Sequence, residues 1–159
     1  MTIQINSKID LNKLDNQENF FNRELSWLKF NKRVLKEAEK KENPLLEKLN
    51  FISITSSNLD EFFMIRVAGL KQQYAMNIQK RDDSGLTVKE QLDFISKDTH
   101  DLIKLQYKLL NNVQKALESE NIFFRNIEEL NEENKNWVER YFHDEIFPAL
   151  TPMAVDAGH

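Results

Sequence analysis

The chain has 159 residues, 40% hydrophobic and 30% charged, with 22 Lys and Arg against 26 Asp and Glu for a net charge of −4. That hydrophobic share supports a packed core, and the absence of Cys rules out disulfides, Cys-ligated zinc and a thiolate nucleophile. Three Gly and three Pro, where average usage gives roughly 11 and 8, point to few, long elements, which means helices.

Residues 1–18 are polar and Asn-rich and read as a mobile, flexible N-terminal arm. A helix follows from Phe20. Phe21, Leu25, Leu28, Leu35 and Ala38 fall close to one face, with Trp27, Phe30 and Val34 in a stripe beside it. Asn43-Pro44 marks a stop and a restart, with Asn43 as a cap and Pro44 suited to a first helical position. Leu45, Leu46, Leu49 and Ile52 give a short second helix. The string SSNLDEFF at 56–63 predicts the opening of a third, because Ser57 with Asp60, or Asn58 with Glu61, has cap spacing. Phe62, Ile65, Leu70 and Tyr74 carry that helix to about Lys80.

Arg81 to Gly85 is a polar turn, and Thr87-Val88-Lys89-Glu90 is a capping-box pattern. The fourth helix is the clearest: Val88, Leu92, Ile95, Thr99, Leu102, Gln106, Leu109, Val113 and Leu117 keep a step of three or four. From Thr87 to Ser119 it spans roughly 48 Å. A helix of that length with one apolar seam needs long neighbours, so the expected fold is mainly α, an antiparallel up-down helical bundle over residues 19–120. After Asn121 the character changes. Ile122 to Arg125 is short and β-prone, Asn131 caps a helix carrying Trp137, Tyr141, Phe142 and Ile146, and Leu150 to Val155 reads as extended. A strand, a helix and the start of a strand do not complete a domain. Residues 121–159 are therefore expected to be the front of an incomplete α/β unit.

Several chemistries lack their residues. His100, His143 and His159 have no zinc-motif spacing, and three Gly cannot build a Walker A loop or a dinucleotide fingerprint. No apolar run approaches a membrane span and the N-terminus lacks a signal-peptide core, so a cytoplasmic protein is expected. Charge is uneven, +4 over 23–41 and −6 over 118–145. The basic stretch suits a solvated helix face better than a phosphate ligand. The overall negative charge and the lack of a reader motif argue against nucleic acid.

Three strings then stand out in order: RELSWLKFNKRVLKEA at 23–38, NPLLEKLNFISITSSNLDEFFMIRVAGL at 43–70 and FPALTPMAVD at 147–156. Together they resemble the N-terminal region of the polyphosphate kinases of the polyphosphate-synthesising type, over about residues 20–159. The resemblance implies a helical N-terminal domain, here ending near residue 120, and a head domain that begins near Asn121 and is truncated at His159. It implies reversible transfer of the ATP γ-phosphate to inorganic polyphosphate through a phosphohistidine. The catalytic histidines and the magnesium site lie in C-terminal domains absent from this chain, so no catalytic residue and no metal ligand carries over, and the fragment alone is expected to be inactive. ATP and polyphosphate are the implied substrates and a homo-oligomer the implied assembly.

One residue of the nucleotide site does carry over: the Asn of the N-L-D-E-F string, Asn58, which the resemblance places on the adenine side of ATP. A side-chain amide offers donors and an acceptor to a purine edge, while Asn in that position also reads as a helix cap. Arg66, two turns on, either faces an anion or pairs with a nearby carboxylate. Asp60 and Glu61 are adjacent, about 100° apart on a helix, and do not converge on one ligand. The competing reading from another class is a non-catalytic helical protein-interaction module, motivated by Trp137, Tyr141 and Phe142.

Overall fold

Residues 16–152 are described in the computed structural model. The expected arm over 1–18 lies outside them save for its last residues, and Gln17–Asn19 form a 3-10 turn. Residues 153–155 of the expected extended segment also lie outside. The chain divides into two compact units, Met1–Glu120 and Asn121–His159. Among the described residues every regular element is helical and there is no strand. No helix among them is long and apolar enough to cross a membrane.

Helix α1 covers Arg23–Lys36 and is capped by Asn22, whose Oδ1 accepts from the Leu25 N–H at 2.9 Å. Leu28, Asn31, Leu35 and Ala38 are buried at steps of three and four. Phe21 precedes the cap and is 85% exposed, so the spacing misplaced it on the apolar face. Phe30 is also exposed, on the solvent side, with the Arg33 guanidinium 5.7 Å from its ring centre. Asn43 does not cap the next helix. Its Nδ2 donates back to the Glu37 carbonyl at 2.8 Å, closing the end of α1, and Pro44 takes the N-cap position of α2.

Helix α2 (Leu45–Glu61), a π-helical turn (Phe62–Val67) and helix α3 (Ala68–Ala75) follow one another without a break. The second and third helices expected from the sequence are therefore one rod. Ser57 and Asn58 lie inside it, so neither caps a helix. The Ser/Thr-rich run is absorbed because the Thr55 hydroxyl donates to the Phe51 carbonyl at 2.8 Å, within its own helix. No Gly or Pro interrupts residues 45–68. The π turn, whose hydrogen bonds span one residue more than those of the α-helix, changes which side chains face inward. Phe62 is buried, Ile65 is 64% exposed and Val67 is 3% exposed. A strict α period puts Ile65 inside, and the wide turn hands that place to Val67. The rod ends five residues before Lys80, at Ala75, because Asn77 takes φ 54°. The Ile78 N–H then donates to the Gln73 carbonyl and Asn77 N–H to that of Tyr74, a Schellman closure.

Gly85, at φ 83°, turns the chain into helix α4, Val88–Glu118, whose capping box is formed by Thr87 and Glu90 as the spacing predicts. α1, α2 and α4 pack on one another around Leu28, Leu35, Ile52, Phe62, Ile95, Leu102 and Leu117. Partners on α1 and on α2 with its π turn occur in opposite chain order, Glu24 with Arg66, Trp27 with Phe62 and Asn31 with Asn58.

In the second unit Asn131 caps helix α5, Glu132–Tyr141, with the Asn134 N–H 2.8 Å from its Oδ1. A π turn over Phe142–Ile146 and a 3-10 turn over Phe147–Ala149 follow. Residues 122–125, expected as a strand, are irregular. A strand needs a partner ladder for its backbone groups, and no other strand exists among the described residues. No described residue of this unit is buried. Trp137 stacks on Tyr141 at 5.3 Å with its ring still more than half exposed.

Candidate functional site

The two site residues singled out in the sequence, Asn58 and Arg66, both face α1 across a polar seam in the core. The seam exists because α1 carries Glu24, Trp27 and Asn31 at helical spacing on the side that meets α2, and α2 with its π turn answers with Asn58, Phe62 and Arg66. At its centre Trp27 and Phe62 stack with ring centres 4.5 Å apart and planes 3° from parallel. The polar groups sit at either end of this aromatic pair.

At one end Asn31 is fully buried, 0% exposed. Its Nδ2 donates to the Thr55 carbonyl at 3.1 Å, and its Oδ1 accepts from Asn58 Nδ2 at 2.9 Å. Asn58 is half-buried. Its Oδ1 and second N–H have no hydrogen-bond partner among the described residues. Asn58 therefore offers an acceptor and a donor from a fixed side chain.

At the other end Glu24 is buried and meets two guanidiniums. Arg23 donates to its Oε1 through Nη2 at 2.7 Å and Nε at 2.9 Å, and Arg66 Nη1 donates to Oε2 at 3.1 Å. The Arg66 guanidinium also lies 6.0 Å from the Trp27 ring centre. Of the two alternatives for Arg66, the carboxylate pairing is the one formed. The seam thus holds two positive charges against one negative.

Other candidates stay apart from the seam. Asp60 and Glu61 are exposed. His100 hydrogen-bonds the Ser96 carbonyl on its own helix at 2.7 Å. No group of three or more His, Asp or Glu that could hold a metal ion exists among the described residues. A groove between the α2–α3 rod and α4 is lined by Leu59, Phe63, Thr99 and Ile103, and the buried Thr99 hydroxyl has no hydrogen-bond partner among the described residues. Glu24, Asn31 and Thr55 escaped the sequence reading. The signal for Asn31 was present: a polar residue three after Leu28 and four before Leu35, inside an apolar stripe.

Residues 20–125 match the family model described as the polyphosphate kinase N-terminal domain. The chain is 50% identical to a polyphosphate kinase of Bacillus anthracis over 153 residues, covering 95% of this chain and 22% of that protein. It is 53% identical to one of Bacillus cereus over 138 residues, with coverage of 86% and 20%. With a polyphosphate kinase of Lactiplantibacillus plantarum the identity is 49% over 140 residues, with coverage of 87% and 20%. The chain spans about a fifth of the length of these curated relatives.

Proposed function

The chain belongs to the polyphosphate kinase N-terminal domain family, and on that premise we propose that it is the N-terminal portion of an ATP:polyphosphate phosphotransferase of the cytoplasm. In this reading the whole protein transfers the ATP γ-phosphate reversibly to inorganic polyphosphate through a phosphohistidine, and the histidines and the magnesium site lie in domains beyond this chain. The chain alone is inactive. Its part is to cover the adenine side of ATP and to aid assembly of a homo-oligomer.

The observation that carries the nucleotide role is Asn58: half-buried, held through one N–H, with an acceptor and a second donor unengaged among the described residues. Phosphoryl transfer depends chiefly on positioning and charge stabilisation, so a base contact far from phosphorus still acts on the reaction. Arg66 is the anion contact in the same reading. Two guanidiniums against one Glu24 carboxylate leave a positive charge at that end of the seam.

The test is Asn58→Ala in the polypeptide that joins this segment to its C-terminal domains. The expected result is a KM for ATP raised about tenfold, the scale of one good hydrogen bond, with the thermal transition in place. An unchanged dependence of rate on ATP counts against the role. The alternative, a helical interaction module without nucleotide contact, is favoured by the second unit, where Phe124, Trp137 and Phe147 are each more than half exposed. It requires that same unchanged dependence.

A further inference from the structure

We propose that Asn31 is a positioning residue that decides which atom Asn58 turns toward a nucleotide base, and that it thereby selects a 6-amino purine over a 6-oxo purine. This rests on the base contact assigned to Asn58 above. The orientation is set by a chain of constraints that begins at the main chain. The Thr55 carbonyl can only accept, so the Asn31 group facing it at 3.1 Å is the NH2. Asn31 then presents Oδ1 to Asn58, which can only be met by the Asn58 NH2, at 2.9 Å. The Asn58 carbonyl oxygen is left pointing away from the seam.

Neither amide can reverse alone. Turning Asn31 over sets its oxygen against the Thr55 carbonyl, and turning Asn58 over sets two amide oxygens together. Asn31 is 0% exposed, so no water relieves either clash. A freely rotating surface Asn adapts to a donor or an acceptor, whereas this one is committed before any ligand arrives, which lowers the ordering cost of binding. The outward Oδ1 pairs with the exocyclic amine at C6 of adenine while the remaining N–H meets a ring nitrogen. A 6-oxo purine held in that same pose sets oxygen against oxygen and is repelled, the bidentate discrimination by which side-chain amides choose adenine in nucleic-acid grooves.

The experiment uses the polypeptide that joins this segment to its C-terminal domains, assayed with ATP and with inosine triphosphate, which differs at C6. The ratio of kcat/KM for the two nucleotides is the readout. The wild type is expected to prefer ATP about tenfold over inosine triphosphate. Asn31→Leu fills the same apolar stripe, frees the Asn58 amide, and is expected to bring that ratio close to one. A purely structural Asn31 lowers the thermal transition but leaves the ratio unchanged, which overturns the proposal while the nucleotide reading stands. An Asn58→Ala variant with an unchanged dependence of rate on ATP overturns the nucleotide reading, and the proposal falls with it. Asn31→Ala serves if Leu at this position unfolds the chain. Should both variants unfold, the wild-type ratio decides: about tenfold supports the proposal and near one overturns it.

Discussion

Asn22 Nδ2 donates to Asp82 Oδ2 at 2.6 Å, tying the cap of α1 to the turn that leads into α4. The same Nδ2 donates to Gln91 Oε1 at 3.0 Å, and Gln91 Nε2 returns to the Leu86 carbonyl at 3.3 Å. Two helix starts and one loop are thus held by three side chains, and one of the three titrates.

Asp82 sits below its ordinary value. Burial pushes it up, but hydrogen bonds from Ser84, Asn22 and the Leu86 and Ser84 backbone outweigh that. A carboxyl whose folded value lies below its unfolded one stabilises the fold fully above the unfolded value, roughly 4. The contribution falls away as pH drops from there through the folded value. Asp82→Ala is expected to lower stability at pH 7 by about 1 kcal/mol and to flatten the loss of stability below pH ~4. Thermal melts from neutral to acid pH check this, and parallel acid limbs for the two proteins would contradict it.

The register of the π turn is open to a paired test. Val67→Ala removes buried methyl groups and is expected to destabilise the protein by about 2 kcal/mol. Ile65→Ala, on the exposed side, is expected to change stability by less than about 0.5 kcal/mol. Urea melts of both variants distinguish this from an uninterrupted α period, which demands the reverse order.

Thr99 is 4% exposed and its hydroxyl has no partner among the described residues. Thr99→Val keeps the shape and removes the stranded group, so it is expected to stabilise by about 1 kcal/mol and raise Tm by about 3 °C. A lowered Tm would show that the hydroxyl is satisfied in solution.

Helix α4 was legible almost residue for residue, because an apolar step sustained through Val88, Ile95, Leu102 and Leu117 together with a capping box has no competing interpretation. The α2–α3 rod was not, for two reasons. Ser56, Ser57 and Asn58 carry the composition of a cap, and only the helical surroundings decide whether such residues start a helix or ride on one. The π turn breaks the period on which the inward face is read, so Ile65 was chosen where Val67 packs. The seam was half legible. Asn58 came from resemblance to a family and Arg66 from its place two turns further on, but the residues that hold them, Asn31 and Glu24, lie 27 and 42 positions away. Only tertiary packing pairs them.

The extra residue in the Phe62–Val67 turn acts as a phase shifter in a geared shaft. α2 meshes with α1 and α4, and α3 meshes with α4. A shaft cut to a single tooth pitch drifts out of engagement over such a length, and correcting the drift with Gly or Pro introduces a flexible joint. One added residue resets the pitch with no Gly or Pro between residues 45 and 68, and the helical run continues from α2 into α3. The aromatic stack at Phe62 and the Val67 contact can then each keep their own alignment without either being strained to suit the other.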